Sequence, residues 1–167
     1  MSASSGLPVL LVCKSLYGMI RESALEAESM TPERINQVSR RVIGAAIEVH
    51  RCLGPGLMES TYQRCLAHEL RLREMRFARE LPVPIVYKGL ALEDHYRLDF
   101  MVENQIVVEV KTLTTVLPIH EAQVLTYLRL MDRWLGLLIN FHSTVLFNGV
   151  HRLVNRKVGD SSSVHRP

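Results

Sequence analysis

Asp99, Glu109 and Lys111 are the residues of this chain whose types and spacing could do chemistry together. Two carboxylates and an ammonium on one surface could hold a divalent cation and hydrolyse a phosphodiester. That reaction needs a water to be activated and the charge on the phosphoryl oxygens to be offset, and Mg²⁺ on oxygen ligands serves both needs. The stretch from His95 to Val102 alternates polar and apolar residues, Glu103-Asn104-Gln105 reads as a turn, and Ile106 to Lys111 alternates again. A hairpin centred on Asn104 sets Asp99 directly opposite Glu109, because paired positions in an antiparallel ladder keep a constant sum. Such facing residues have Cβ atoms roughly 5 Å apart. Lys111 follows Glu109 by two and shares its face, whereas Leu98, Phe100, Val102, Ile106, Val108 and Val110 are expected on the other. Magnesium keeps several waters, so the two carboxylates and one main-chain carbonyl, that of Val110, would suffice to bind it. Lys111 would then stabilise the phosphate or orient the attacking water.

An E-x-K triplet arises by chance about once in a few hundred residues. Taken alone, the hairpin reads equally well as a solvated outer face with a cross-strand lysine pair. What must position it is legible on either side. From Glu33 to Leu53, Ile35, Val38, Val42, Ala45, Ala46 and Val49 recur at helical spacing, with Thr31 as N-cap, Pro32 at the first helical position and Gly54-Pro55-Gly56 as the stop. A second helix is expected from Leu57 to Arg73, with Glu59 and Tyr62 on one face. The period then changes to two, with a strand from Leu81 to Tyr87, a turn at Lys88-Gly89 and a short return from Leu90 to Leu92 ahead of the acidic hairpin. Beyond a loop from Thr112 to Pro118, Ile119 to Met131 reads as a helix carrying His120, Gln123 and Tyr127 along one side. Trp134 to Phe141 reads as a strand buried on both faces, and Val145 to Val154 as a last strand around Asn148-Gly149.

From spacing alone, Glu59 reads as an exposed carboxylate favoured by the helix dipole. Tyr62 and Tyr127 read as core aromatics with a hydrogen-bonded hydroxyl, and His50 and His120 as structural or surface histidines. The run Arg71, Arg73, Arg76, Arg79 fits a phosphate-tracking strip, and a solvated helix end at least as well.

At 167 residues and 47% apolar, the chain suits one domain with a sizeable core. The net charge of +3 permits nucleic-acid binding without pointing to it. Cys13, Cys52 and Cys65 form neither a C-x-x-C pair nor an even set, which argues against a disulfide framework and a zinc site and for a reducing cytoplasm. The apolar run Leu7 to Val12 lacks a basic lead and is too short to span a bilayer, so neither a signal peptide nor a membrane partner is expected. Residues 1–29 read as an appended or poorly ordered segment, 30–157 as the folded domain and 158–167 as a disordered tail.

Gly56-x-x-Glu59-x-x-Tyr62 resembles the signature of the GxxExxY proteins, a bacterial group within the PD-(D/E)XK nuclease superfamily. Further blocks match in order: Ile43 to His50, Leu53 to Gly56, Tyr96 to Asp99, Val108 to Lys111, His120 to Gln123 with Tyr127, and Gly136 to Phe141. The resemblance implies a restriction-endonuclease-like α/β (α+β) core, a mixed central β-sheet flanked by α-helices. It adds Glu59 and Gln123 to Asp99, Glu109 and Lys111 as catalytic residues, with Glu59, Asp99, Glu109 and the Val110 carbonyl at the metal. Gln123 and Tyr127 look like the Q-x-x-x-Y element of RecB-type nucleases, and Tyr62, Tyr127 and His50 stand as supporting residues. Leu98 occupies the place that gives the superfamily its proline, and residues 1–29 have no counterpart in the family pattern.

The expectation is therefore a Mg²⁺- or Mn²⁺-dependent nuclease acting on DNA in the cytoplasm, alone, as a homodimer or beside a partner protein. The rival is a non-catalytic nucleic-acid- or protein-binding module on the same fold. A purely structural oligomer has only the apolar run Trp134 to Phe141 in its favour, and a buried central strand explains that run more simply.

Overall fold

The computed structural model describes residues 31–156. The expected extensions at 1–29 and 158–167 lie outside the described residues. Helix α1 (Pro32–Leu53) starts where Thr31 accepts the Arg34 amide and ends at Gly54, whose positive φ of 67° frees the chain to turn. Helix α2 (Glu59–Leu72) begins two residues later than the periodicity predicts, because Leu57 and Met58 belong to the turn and expose their side chains. Strands β1 (Phe77–Tyr87), β2 (Leu90–Val102) and β3 (Ile106–Lys111) follow, then helix α3 (Pro118–Leu130) and strands β4 (Leu135–Asn140) and β5 (Val150–Val154).

The five strands lie in the order β1-β2-β3-β4-β5. The β3/β4 pair is parallel, with α3 as its crossover, and the others are antiparallel. Helices α1 and α2 cover one face, burying Val42, Ala45, Tyr62 and Leu66 with Phe100, Val108, Leu137 and Phe141. On the opposite face α3 seats Val124, Tyr127 and Leu128 against Met101, Val107 and Leu138. Gly136 lets α3 approach closely, since a Cβ there would meet Val124 Cγ1 at 2.6 Å. Burial on both sides explains the unbroken apolar run of β4.

Three further sequence expectations are corrected. The return strand expected at Leu90 to Leu92 runs on to Val102, because Glu93 to His95 form an irregularity in the pairing between Val83↔Tyr96 and Ile85↔Leu92 rather than a break. The last strand starts at Val150, after a 3₁₀ turn from Leu146 to Gly149. That turn is dictated by Gly149, whose Cα approaches the Asn140 carbonyl so closely that a Cβ would lie 2.5 Å from it. Finally, Leu98 does not share a layer with Phe100: Leu98 packs on the α3 side and Phe100 on the α1/α2 side. The alternation breaks at Asp99, opposite Glu80, which holds a positive φ of 50°. Irregularities of this kind re-aim side chains and are frequent beside functional sites.

Candidate active site at the open end of the acidic hairpin

The β2/β3 ladder pairs Phe100 with Val108, Met101 with Val107 and Val102 with Ile106, the register expected for a hairpin centred on Asn104. Glu103 and Asn104 both take positive φ, 49° and 52°, and the Gln105 amide donates to the Val102 carbonyl at 3.0 Å. This is the twist-matched turn geometry that suits antiparallel strands. At the far end of the ladder, the Val110 amide donates to Asp99 Oδ2 at 2.8 Å instead of to the β2 backbone. Asp99 thus replaces the last rung of the hairpin and is tied to the strand carrying Glu109 and Lys111. An antiparallel strand directs a residue's N–H and C=O to the same side, so the Val110 carbonyl also points to the Asp99 edge.

Glu109 is 3% exposed, and the helix α3 layer covers the face on which a solvated strand was the alternative. Its Oε1 accepts from Lys111 Nζ at 2.8 Å. Its Oε2 is enclosed and has no hydrogen-bond partner among the described residues. Burial, and next the charge of Asp99, push the Glu109 carboxyl up to about 7, against the pull of Lys111. Burial also raises Asp99, opposed by the Val110 amide, Lys111, the Gln63 side chain and Arg79. Burial raises Glu59 as well, with Lys111 and the Thr112 amide opposing and Asp99 adding to the rise. For Lys111 burial works downward, but Glu109 first, then Glu59 and Asp99, outweigh it and raise the ammonium's pKa. The structure therefore brings Glu59, Asp99, Glu109 and Lys111 into one electrostatic unit, with α2 supplying the member that spacing left at the surface.

Gln123 Nε2 donates to Tyr127 Oη at 2.8 Å, and Tyr127 Oη donates to the Arg97 carbonyl at 3.3 Å. Burial raises the Tyr127 hydroxyl, and Glu109 adds to the rise, which sets this pair beside the acids on the α3 side. Tyr62 stacks on Phe141 with centroids 4.5 Å apart and donates to the Gly54 carbonyl at 2.5 Å, so it holds the Gly-Pro-Gly turn that launches α2. His50 Nε2 lies 2.8 Å from the Ser143 carbonyl and His120 Nδ1 accepts the Leu117 amide. Both histidines are engaged with backbone.

Sequence reasoning misses two contributors, Gln63 and Asn140, and weighs a third, Arg79, only as part of an arginine strip. Gln63 reaches Asp99 from α2; the signal was its i, i+4 spacing from Glu59. Asn140, opposite Lys111 in the parallel ladder, accepts from the Leu113 amide at 2.9 Å and donates to its carbonyl at 2.7 Å, fixing the chain just beyond Lys111. Arg79 acts on Asp99 from β1. A groove of about 580 Å³ between α1 and α2, lined by Glu48, Cys52, Arg64, Cys65 and His68, includes none of Glu59, Asp99 and Glu109.

Among the described residues no three of His, Cys, Asp and Glu converge closely enough to hold a metal ion by themselves. Asp99, Glu109 and the Val110 carbonyl nevertheless fit one, because a hard cation needs few protein ligands beside its waters. The partnerless Glu109 Oε2 is the atom such an ion would satisfy.

A mixed sheet between two helical layers, with carboxylates gathered at the end of a hairpin, defines a restriction-endonuclease-like fold. The PD-(D/E)XK nuclease superfamily model matches residues 36–153, and the chain belongs to that superfamily. Its nucleases generally use divalent metal ions. Comparison with curated proteins and with solved structures found no match. No helix among the described residues is long and apolar enough to cross a membrane.

Proposed function

We propose that this protein, read as a GxxExxY-type member of the superfamily, is a Mg²⁺- or Mn²⁺-dependent deoxyribonuclease of the bacterial cytoplasm. The observation that carries the reading is the buried Glu109 carboxylate with one oxygen on Lys111 and the other unpartnered among the described residues. Leaving such an oxygen unsatisfied costs more than a typical hydrogen bond contributes, and a cation removes that cost. Asp99, Glu109 and the Val110 carbonyl would hold the ion, with Glu59 at the rim of the set. When bound, it supplies Lewis acidity toward the phosphoryl oxygens and a more acidic water. Lys111 is held by Glu109 close to where phosphate charge develops, and Gln123, fixed by Tyr127, orients a water or a phosphate oxygen.

Titration calorimetry of Mn²⁺ into the protein and its Glu109→Ala variant, with cleavage assays on the same samples, tests this. Binding and cleavage are both expected to disappear in the variant, and Lys111→Ala is expected to bind metal but lose cleavage by about 10²-fold or more. Full activity in either variant would sink the assignment. The non-catalytic module draws on one observation, the lack of a closed three-carboxylate set among the described residues. DNA binding that survives Asp99→Ala, in a protein that never cleaves, would favour it.

A further inference from the structure

The run of four arginines that follows α2 separates in the fold. The Arg71 guanidinium lies 5.4 Å from the centroid of the Phe77 ring, Arg73 pairs with Glu69 at 2.8 Å and Arg76 pairs with Glu103 at 2.9 Å. Arg79 has neither an ion pair nor a hydrogen bond among the described residues. Its guanidinium carbon sits 5.6 Å from the centroid of the Phe100 ring, its Nε is enclosed without a partner, and the side chain as a whole is only partly buried. Contact with the Phe100 ring holds the guanidinium over the sheet, and of its nitrogens only Nε is enclosed without a partner. Arg79 is the partner of Phe100 in the ladder, so it stands one position from Asp99, at the break in alternation marked by Glu80. Lys111, the other cation acting on Asp99, is already committed to Glu109.

We infer that Arg79 is a substrate-binding residue that receives a non-bridging phosphate oxygen of the nucleic-acid strand lying across Asp99. This rests on the nuclease reading above. Three acids would repel a polyanion, and the arginine beside them feels the charge of Asp99 but closes no ion pair among the described residues, so a phosphate is the ligand its charge and fork geometry suit. Arg76, neutralised by Glu103 at the turn, serves as the internal control.

The test measures binding of a fluorescein-labelled thymidine oligonucleotide, a dozen nucleotides long, by anisotropy in EDTA over about 50 to 200 mM salt, with cleavage in Mn²⁺ alongside. Arg79→Ala is expected to weaken binding about 10-fold at low salt and to lower the salt slope by about 0.7, one phosphate of a single strand. Arg79→Met keeps the stem over Phe100 and is expected to show the same loss, while Arg79→Lys recovers the slope and Arg76→Ala leaves it unchanged. A residue that merely packs on Phe100 would lower the melting temperature and leave the slope untouched. If the wild type cleaves and Arg79→Met binds with the wild-type slope, this inference falls and the nuclease reading stands. If the wild type neither binds nor cleaves, both fall.

Discussion

The two ends of the β2/β3 hairpin each carry a glutamate beside a cation, and they are built for opposite purposes. At the turn, Glu103 accepts from the Arg76 amide at 2.9 Å and from Arg76 Nε at 2.9 Å, beside an arginine whose side chain is 87% exposed. Both carboxylate oxygens are satisfied, and the pair holds a chain reversal. At the other end, Glu109 is buried, shares one oxygen with Lys111 and leaves the other without a partner. The first arrangement is a modest stabiliser in high dielectric. The second costs stability, and under the proposed nuclease reading a bound cation would offset that cost, as ligands do for strained or unsatisfied groups at functional sites.

The contrast is broken most directly by pH. With the Glu109 carboxyl raised to about 7, metal must displace a proton from it below neutrality. Metal affinity and cleavage at subsaturating Mn²⁺ are expected to fall about tenfold per unit as pH drops from 7 to 5 and to level off above about 8. Calorimetry and initial rates across that range check this. A flat profile would mean that Glu109 ionises like an ordinary surface acid.

The smaller consequence concerns stability without metal. Because the folded Glu109 titrates near 7 and the unfolded one near 4.5, the folded state keeps a proton that the unfolded chain has released. Stability of the metal-free protein therefore falls as pH rises through that window, and the raised Asp99 and Glu59 act with the same sign. Glu109→Gln removes the charge, and Lys111 retains Glu59 and Asp99 as acidic neighbours. The variant is expected to be more stable than the wild type by about 1–2 kcal/mol at pH 8. The gain should vanish toward pH 4.5 and shrink when Mn²⁺ is added to the wild type. Thermal melts in EDTA at several pH values decide it.

How much of this could be read beforehand follows from which forces act locally. The hairpin register was legible because the alternation of Phe100, Val102, Ile106 and Val108 and the turn at Asn104 are properties of adjacent residues. The family blocks implied a mixed sheet flanked by helices around it, without the order of the strands. Burial of Glu109 was not legible, because it depends on α3 packing across Gly136, far along the chain. Nor was the re-aiming of Asp99, since the break that separates Leu98 from Phe100 lies opposite the positive φ of Glu80 on the neighbouring strand, outside the hairpin. Glu59, Gln63 and Arg79 reach the site only through tertiary packing, so spacing left Glu59 at the surface, gave Gln63 no role and left Arg79 within an arginine strip.

The turn end supplies the least consequential change and the sharpest control. Glu103→Gln removes the charge from the Arg76 pair while keeping an oxygen to accept one of its hydrogen bonds. Since Arg76 is mostly in water, the loss is expected to stay below about 1 kcal/mol and to shrink further at high salt. The positive φ of Glu103 and Asn104 remains, so the register should not slip. Cleavage and metal affinity should match the wild type. If Glu103→Gln instead reduced cleavage as much as Glu109→Ala, the two ends would be coupled through the strand and the division of labour drawn between them would be wrong. Equal melting curves and equal rates would show that the hairpin tolerates loss of charge at its turn and depends on the charge at its buried end.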